Sequence, residues 1–115
     1  MFLTDIEAKL QEIDPNVDYG VVSNSRKETA WNYIVFNRTG VKYSDQKTAA
    51  SDTFDVHIIR ENYIPEGLDT EVVTKLCALP GVRVSGEAVF TYTQKPSTDI
   101  VVEMLTISFV RARKR

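Results

Sequence analysis

The hydrophobic pattern changes its period between residues 53 and 79, and this change constrains the fold more than any other feature. Residues 53–63, "TFDVHIIRENY", alternate between two faces, one of which carries Phe54, Val56 and Ile58. Such alternation predicts a strand with one buried face. Pro65 and Gly67 then interrupt the strand. The apolar residues that follow recur every three or four positions, at Leu68, Val72, Leu76 and Leu79. This spacing predicts an amphipathic helix, which "PG" at 80–81 ends.

Another amphipathic helix is predicted near the N-terminus. Its apolar stripe consists of Ile6, Leu10 and Ile13. Thr4 and Glu7 have the spacing of a capping box, in which each side chain accepts a hydrogen bond from the other residue's backbone amide. We therefore expect the helix to begin at Thr4 and to end before Pro15.

The other segments predict strands. Residues 17–23 predict a short strand or an edge segment, and 23–29 predict a polar turn. Residues 31–38, "WNYIVFNR", carry apolar side chains on both faces, as in a central strand or one covered twice. The β-rich stretches "VRVSGEAVFTYT" and "DIVVEMLTISFVRAR" flank a turn that contains Pro96. They predict an antiparallel hairpin whose first strand is bulged or broken at Gly86.

The predicted order of elements is α-β-β-β-α-β-β. No strand–helix–strand unit repeats, so we expect an α+β fold in which two helices pack on one face of an antiparallel sheet. The length of 115 residues suits a single domain, residues 1–115. The apolar content of 43% and the charged content of 26% are those of an ordinary globular protein.

The composition excludes several classes of protein. The only cysteine, Cys77, cannot form an internal disulfide or a cysteine-based zinc site. No apolar run approaches the roughly 20 residues of a membrane span, and the N-terminal "MFLTDIEAKLQ" lacks the pattern of a signal peptide. A single cysteine fits a reducing compartment or indifference to redox, and we expect no membrane partner.

Charge is distributed unevenly along the chain. Four of the fourteen basic side chains lie in the last five residues, so the other ten stand against sixteen acidic ones. Residues 111–115, "RARKR", therefore predict a basic tip on an acidic body, which serves either assembly or solubility. An acidic body with a single basic tip does not favour specific binding of nucleic acid.

A catalytic function is not expected. Asp55 and His57 lie two apart on one strand face, where a carboxylate could orient an imidazole. A triad also needs a nucleophile, and Cys77 follows the core residue Leu76 on the second helix. We expect His57 to lie on a solvated strand face, where replacement by alanine changes stability by no more than about 0.5 kcal/mol. We expect no catalytic residue, no cofactor and no metal, since one histidine with scattered carboxylates does not predict a metal site.

Residues 39–52, "TGVKYSDQKTAASD", predict an extended arm or loop. They contain too few apolar side chains to offset the roughly 1–2 kcal/mol per residue of lost backbone entropy. We therefore expect the arm to be mobile in an isolated subunit and ordered in an assembly. The expected interface residues in the arm are Val41 and Tyr43, as apolar anchors, with Lys42, Asp45 and Lys47 as polar contacts. Those at the C-terminus are Arg111, Arg113, Lys114 and Arg115.

The layout of the whole chain resembles the small tail-terminator, or tail-completion, proteins of long-tailed bacteriophages. The resemblance rests on the helix "TDIEAKLQEI", the segment "DYGVV", the aromatic strand "WNYIVFNR" and the polar arm after it. It continues through "DVHIIRENYIPEG", a helix ending in "LPG", and the last hairpin, "VFTYTQKPSTDIVVEMLTISFVRARKR".

The resemblance implies a non-enzymatic structural protein of the virion. Such a protein is made in the host bacterial cytoplasm and forms a ring of copies of itself, usually a hexamer. The ring caps the tail tube and joins it to the head connector, so the implied partners are the tube protein and the connector protein. Two alternatives remain open: a small-molecule or regulatory binding module with a pocket between sheet and helices, and a small hydrolase or transferase that uses His57.

Overall fold

The computed structural model describes residues 2–23, 30–43 and 49–113. Two helices and six strands are formed in these ranges. The helices are α1 (Phe2–Gln11) and α2 (Leu68–Cys77). The strands are β1 (Val17–Tyr19), β2 (Tyr33–Tyr43), β3 (Ala50–Glu61), β4 (Val82–Val84), β5 (Val89–Gln94) and β6 (Val101–Ala112). The chain is an α+β protein, as the sequence predicts.

The six strands form one sheet in the order β1-β2-β3-β6-β4, and β5 also pairs with β6. Strand β6 therefore has β3 on one side and both β4 and β5 on the other. All of these pairs are antiparallel except that of β1 with β2, which is parallel. The three residues of β1 cover only Ile34, Val35 and Phe36 of β2.

Both helices pack on the same face of the sheet, and the main core lies between the two layers. Side chains from α1 and α2 meet alternate side chains of every strand except β5 in one cluster. The buried members of the cluster are Ile6, Leu10, Val17, Ile34, Phe36, Phe54, Val56, Ile58, Val72, Leu76, Val82, Leu105, Ile107 and Phe109. The predicted strand face of Phe54, Val56 and Ile58 is thus buried under the predicted helix stripes.

Helix α1 begins at Phe2, and the predicted capping box is wrong. Thr4 lies inside the first turn and not at the cap position. The helix extends further because Phe2 has an apolar partner, the Phe54 ring, whose centroid lies 5.6 Å from that of Phe2 in an edge-to-face arrangement. Such ring pairs add to the stabilisation from burial alone.

The first strand of the predicted hairpin is broken in two, as Gly86 indicated. Gly86 has a φ of 76°, in the left-handed region that favours glycine. Strand β4 ends before this residue and β5 begins after it, and both pair with β6. The described residues therefore form six strands, whereas the predicted order has five.

The base of the predicted arm belongs to the sheet. Strand β2 continues through Tyr43 and β3 begins at Ala50, and the two are paired along this length after a register shift at residues 38–40. Residues 39–52 were expected to be mobile in the isolated subunit. This expectation is wrong for 39–43 and 50–52, because hydrogen bonds between β2 and β3 hold them in the sheet. Asp45 and Lys47 lie outside the described residues.

Replacing Leu76 with alanine should destabilise the protein by roughly 2–5 kcal/mol, because this side chain is fully buried between α2 and the sheet. Urea denaturation of both proteins measures the difference. The matched control is Cys77→Ala, since Cys77 is the next residue of the same helix and is exposed. Equal losses in the two variants would contradict the packing of α2.

Candidate functional site

The described residues of the predicted interface gather at one end of the sheet. Val41, Lys42 and Tyr43 form the end of β2 and are all exposed. Arg111 and Arg113 lie at the end of β6, where the Arg113 amide donates a hydrogen bond to the Ala50 carbonyl. Sequence reasoning placed these two groups in separate parts of the chain, and the sheet brings them together. Asp45, Lys47, Lys114 and Arg115 lie outside the described residues.

Arg113 forms a bidentate ion pair with Asp52. Its Nη2 and Nε donate to the two carboxylate oxygens of Asp52 at 2.6 and 3.0 Å. The hydrogen bond from Arg113 lowers the pKa of Asp52, against the opposing effect of burial. Planar two-point geometry of this kind is among the stronger forms of ion pair. The pair ties the end of β6 to the arm of β2 and β3.

Arg111 is also engaged within the subunit. Its guanidinium carbon lies 4.0 Å from the centre of the Phe2 ring, in a cation–π arrangement. Two residues of the predicted basic tip, Arg111 and Arg113, are therefore both paired within the subunit. Long-range pairing of this kind leaves no local signal in the sequence, since Arg113 and Asp52 are 61 residues apart.

The sheet face opposite the helices carries an open groove of about 460 Å³. Its lining is mainly apolar and comes from β2, β3, β5, β6 and the segment after β1. The lining residues are Gly20, Val21, Val22, Trp31, Tyr33, Val35, His57, Ile59, Thr91, Tyr92, Thr93, Val102 and Met104. The sequence predicted a polar face for β3 here, and a pocket between sheet and helices was only one alternative, so this groove was missed.

His57 lies in this groove with hydrogen bonds at both ring nitrogens. Its Nε2 lies 2.8 Å from Asn37 Oδ1, and its Nδ1 lies 2.8 Å from Thr106 Oγ1. Because the Asn37 oxygen only accepts, Nε2 carries the proton, and the Thr106 hydroxyl donates to Nδ1. His57 thus bridges β2 and β6 across β3. The expectation of a solvated histidine is wrong, since the side chain is half-buried and both ring nitrogens have protein partners. Burial lowers the pKa of this imidazole, against the opposing effect of the Asp55 carboxylate.

The groups considered for catalysis are not brought together. The Asp55 carboxylate accepts a hydrogen bond of 2.7 Å from the Ser108 hydroxyl, and the two hydrogen bonds of His57 go to other residues. Cys77 belongs to α2, on the other side of the sheet, and is exposed. In the described ranges no group of three or more histidine, cysteine and carboxylate side chains is placed to hold a metal ion. The helices described are all too short or too polar to span a membrane.

Strand β5, "VFTYTQ", forms an exposed edge of the sheet. All six of its residues are exposed, and none carries a charge. Phe90 and Tyr92 are among its largest side chains, with 51% and 64% of their surfaces accessible. Sequence reasoning placed this segment in a hairpin but gave no sign that its second side would be uncovered, because edge position depends on the order of strands in space.

Comparisons with known proteins do not assign the chain to a family. No protein-family model matches it, and no curated protein matches it at a significant level. The candidate sites therefore rest on the geometry described above: the end of the sheet with its arm, the apolar groove, and the uncovered edge of β5.

Acid should destabilise the protein through His57, its only histidine. Burial lowers the pKa of His57 in the folded protein below the ordinary value of 6.5. The unfolded chain therefore binds more protons than the folded protein in this range. The stability that this residue contributes is fully present above about pH 6.5 and is lost as the pH falls toward the folded pKa. Urea denaturation at pH 7.5 and 5 should show a larger loss in the wild type than in His57→Gln.

Parallel losses of stability in these two proteins would contradict a half-buried, neutral imidazole. The difference between them isolates His57, because the carboxylates with lowered pKa values, such as Asp52 and Glu61, are common to both. At neutral pH, His57→Ala should cost roughly 1–2 kcal/mol, since two hydrogen bonds across the sheet are lost. That value replaces the near-neutral effect expected from the sequence.

Proposed function

We propose that this protein is a structural assembly protein of a long-tailed bacteriophage, a tail terminator that caps the tail tube and joins it to the head connector. In this proposal copies of the chain form a ring, a hexamer by the resemblance of its layout, at the junction of head and tail. The partners of the ring are the tube protein on one side and the connector protein on the other. The protein acts by binding and carries out no reaction.

The observation that carries the proposal is the hairpin arm at one end of an elongated subunit. The subunit measures 52 × 27 × 24 Å, and the arm presents Val41 and Tyr43 with 42% and 68% of their surfaces accessible. Apolar and aromatic side chains exposed on a paired hairpin suit a contact with another protein. The ion pair of Asp52 with Arg113 supports the arm at its base, so its position is set before any partner binds.

A second candidate function is binding of a small apolar molecule, which the groove favours. A volume of about 460 Å³ falls within the range typical of ligand sites. The polar groups in the groove, His57 among them, are few and could orient a ligand. Tight binding of an apolar dye to the wild type, abolished when Met104→Trp fills the groove, would support this candidate over the first.

The proposal is tested by electron microscopy of virus particles produced in the absence of this protein. Without a cap and a joint, filled heads and tails should accumulate separately, and the protein supplied from a plasmid should restore complete particles. A plasmid that encodes Val41→Ser with Tyr43→Ser should restore them poorly, whereas the control Thr70→Ser, at an exposed position of α2, should restore them fully. Complete particles formed without the protein would refute the proposal.

A further inference from the structure

Within residues 2–23, 30–43 and 49–113, the sheet ends in two uncovered edges on opposite sides. One is the outer side of β5, which pairs only with β6 among the described strands. The other is the outer side of residues 38–43 in β2, because β1 covers only Ile34–Phe36. Uncovered edges present free amides and carbonyls, to which a strand of another chain can add.

The direction of each backbone group along β5 follows from the ladder. Hydrogen bonds from the Ser85 amide to the Ser108 carbonyl and from the Lys95 amide to the Ile100 carbonyl show that even-numbered residues of β6 face this side. Their partners in β5 are Val89, Thr91 and Thr93. Since groups alternate along an antiparallel strand, the amides and carbonyls of Phe90, Tyr92 and Gln94 point outward.

The same argument applies to the end of β2. Hydrogen bonds from the Asn62 amide to the Val101 carbonyl and from the Arg113 amide to the Ala50 carbonyl show that even-numbered residues of β3 face β6. Odd-numbered residues of β3 therefore face β2, where Thr53 opposes Gly40 and Ser51 opposes Lys42. The backbone groups of Val41 and Tyr43 consequently point outward.

The two edges fit each other in direction, and they become level when the neighbouring copy is displaced along the strands. Strands β2 and β5 run in opposite directions, so two copies placed side by side in the same orientation would pair them antiparallel. Thr91 lies level with Met104, Ile59 and Tyr33, near the start of β2. A neighbouring subunit must therefore be displaced along the strand direction. In a closed ring such a displacement tilts the strands relative to the ring axis, as in closed sheets. The displacement also carries the neighbour's β1 past the end of β5.

The charges beside the two edges are of opposite sign. Three carboxylates line the surface around Phe90, those of Glu66, Asp69 and Glu103. The edge of β2 carries Arg38 and Lys42, both exposed. Strand β5 itself is uncharged, so it places no charge against these cations. Complementary charge favours pairing of one edge with the other over pairing of β2 edges with themselves, which would oppose like charges.

We propose that a second copy of this chain is the partner of β5. The outer side of β5 in one subunit pairs antiparallel with residues 38–43 of β2 in the next, so that the sheet continues from subunit to subunit. The contact joins two different surfaces and generates a ring if the rotation closes. It rests on the proposed function, for which it supplies the contact that holds the ring together.

Proline substitutions test the pairing, because proline lacks the amide that an added strand needs. Tyr92→Pro and Val41→Pro each remove an outward amide and leave the ladder within the subunit intact. Thr91→Pro removes an inward amide and is the matched control for damage to the fold. Analytical ultracentrifugation should show self-association of the wild type. Tyr92→Pro and Val41→Pro should each need a protein concentration roughly tenfold higher or more to self-associate to the same extent.

Mixing the two variants identifies which edges meet. Tyr92→Pro retains the edge of β2 and Val41→Pro retains that of β5. An equimolar mixture should therefore form dimers at a concentration at which each variant alone is still monomeric. Dimers of Val41→Pro alone would show that β5 pairs with itself and would overturn the proposal. If Tyr92→Pro unfolds, Phe90→Lys replaces it, since half of this side chain is exposed at the same edge.

A wild type that remains monomeric up to millimolar concentration, alone and with tube protein, would also overturn the proposal. The outcome is distinguishable from failure of the proposed function. Rings that depend on Tyr92 and Val41, in a virus that joins heads to tails without the protein, would support the pairing and refute the function. Separate heads and tails, with a wild type that never self-associates, would refute the pairing and the ring but support the role in joining heads to tails.

Discussion

The pairing of β6 with strands on both of its sides is the constraint on which the rest of the structure depends. On one side β6 is in register with β3 from Val102 to Ala112, and on the other it holds both β4 and β5. Its alternate side chains serve two faces: Leu105, Ile107 and Phe109 enter the core under the helices, while Met104 lines the groove. A one-residue slip of this strand would exchange the two sets and destroy both surfaces.

The two faces of the sheet differ in how far they are covered, and we assign them different roles for that reason. The helix face is closed and apolar, so it supplies stability. The groove face is open but carries a smaller buried cluster of Tyr33, Val35, Ile59 and Val102. Hydrogen bonds of His57 to Asn37 and Thr106 hold β2, β3 and β6 together across this face. The ion pair of Asp52 with Arg113 fixes the arm at one end of the same strands. The main core therefore lies on one face, which leaves the arm, the groove and the strand edges accessible for binding.

The fold was predictable from the sequence where hydrophobic period decides structure. The stripe of Val72 and Leu76 and the alternation of Phe54, Val56 and Ile58 are both buried as expected. Partners distant in the chain were not predictable, because the bonds of Asp52 with Arg113 and of His57 with Thr106 depend on strand order and register. Position at the edge of the sheet also depends on strand order. The segment "VFTYTQ" could therefore be identified as a strand but not as an uncovered one.

The central claim is that copies of this protein join through strand edges, and amide hydrogen exchange resolved by residue tests it most directly. In dilute protein the outward amides of Phe90 and Tyr92 should exchange rapidly, while the inward amides of Thr91 and Thr93 are protected by β6. On assembly the outward amides should become protected as well, because a strand of the neighbouring subunit covers them. Exchange at Phe90 and Tyr92 that stays as rapid in the assembly as in the dilute protein would contradict the claim.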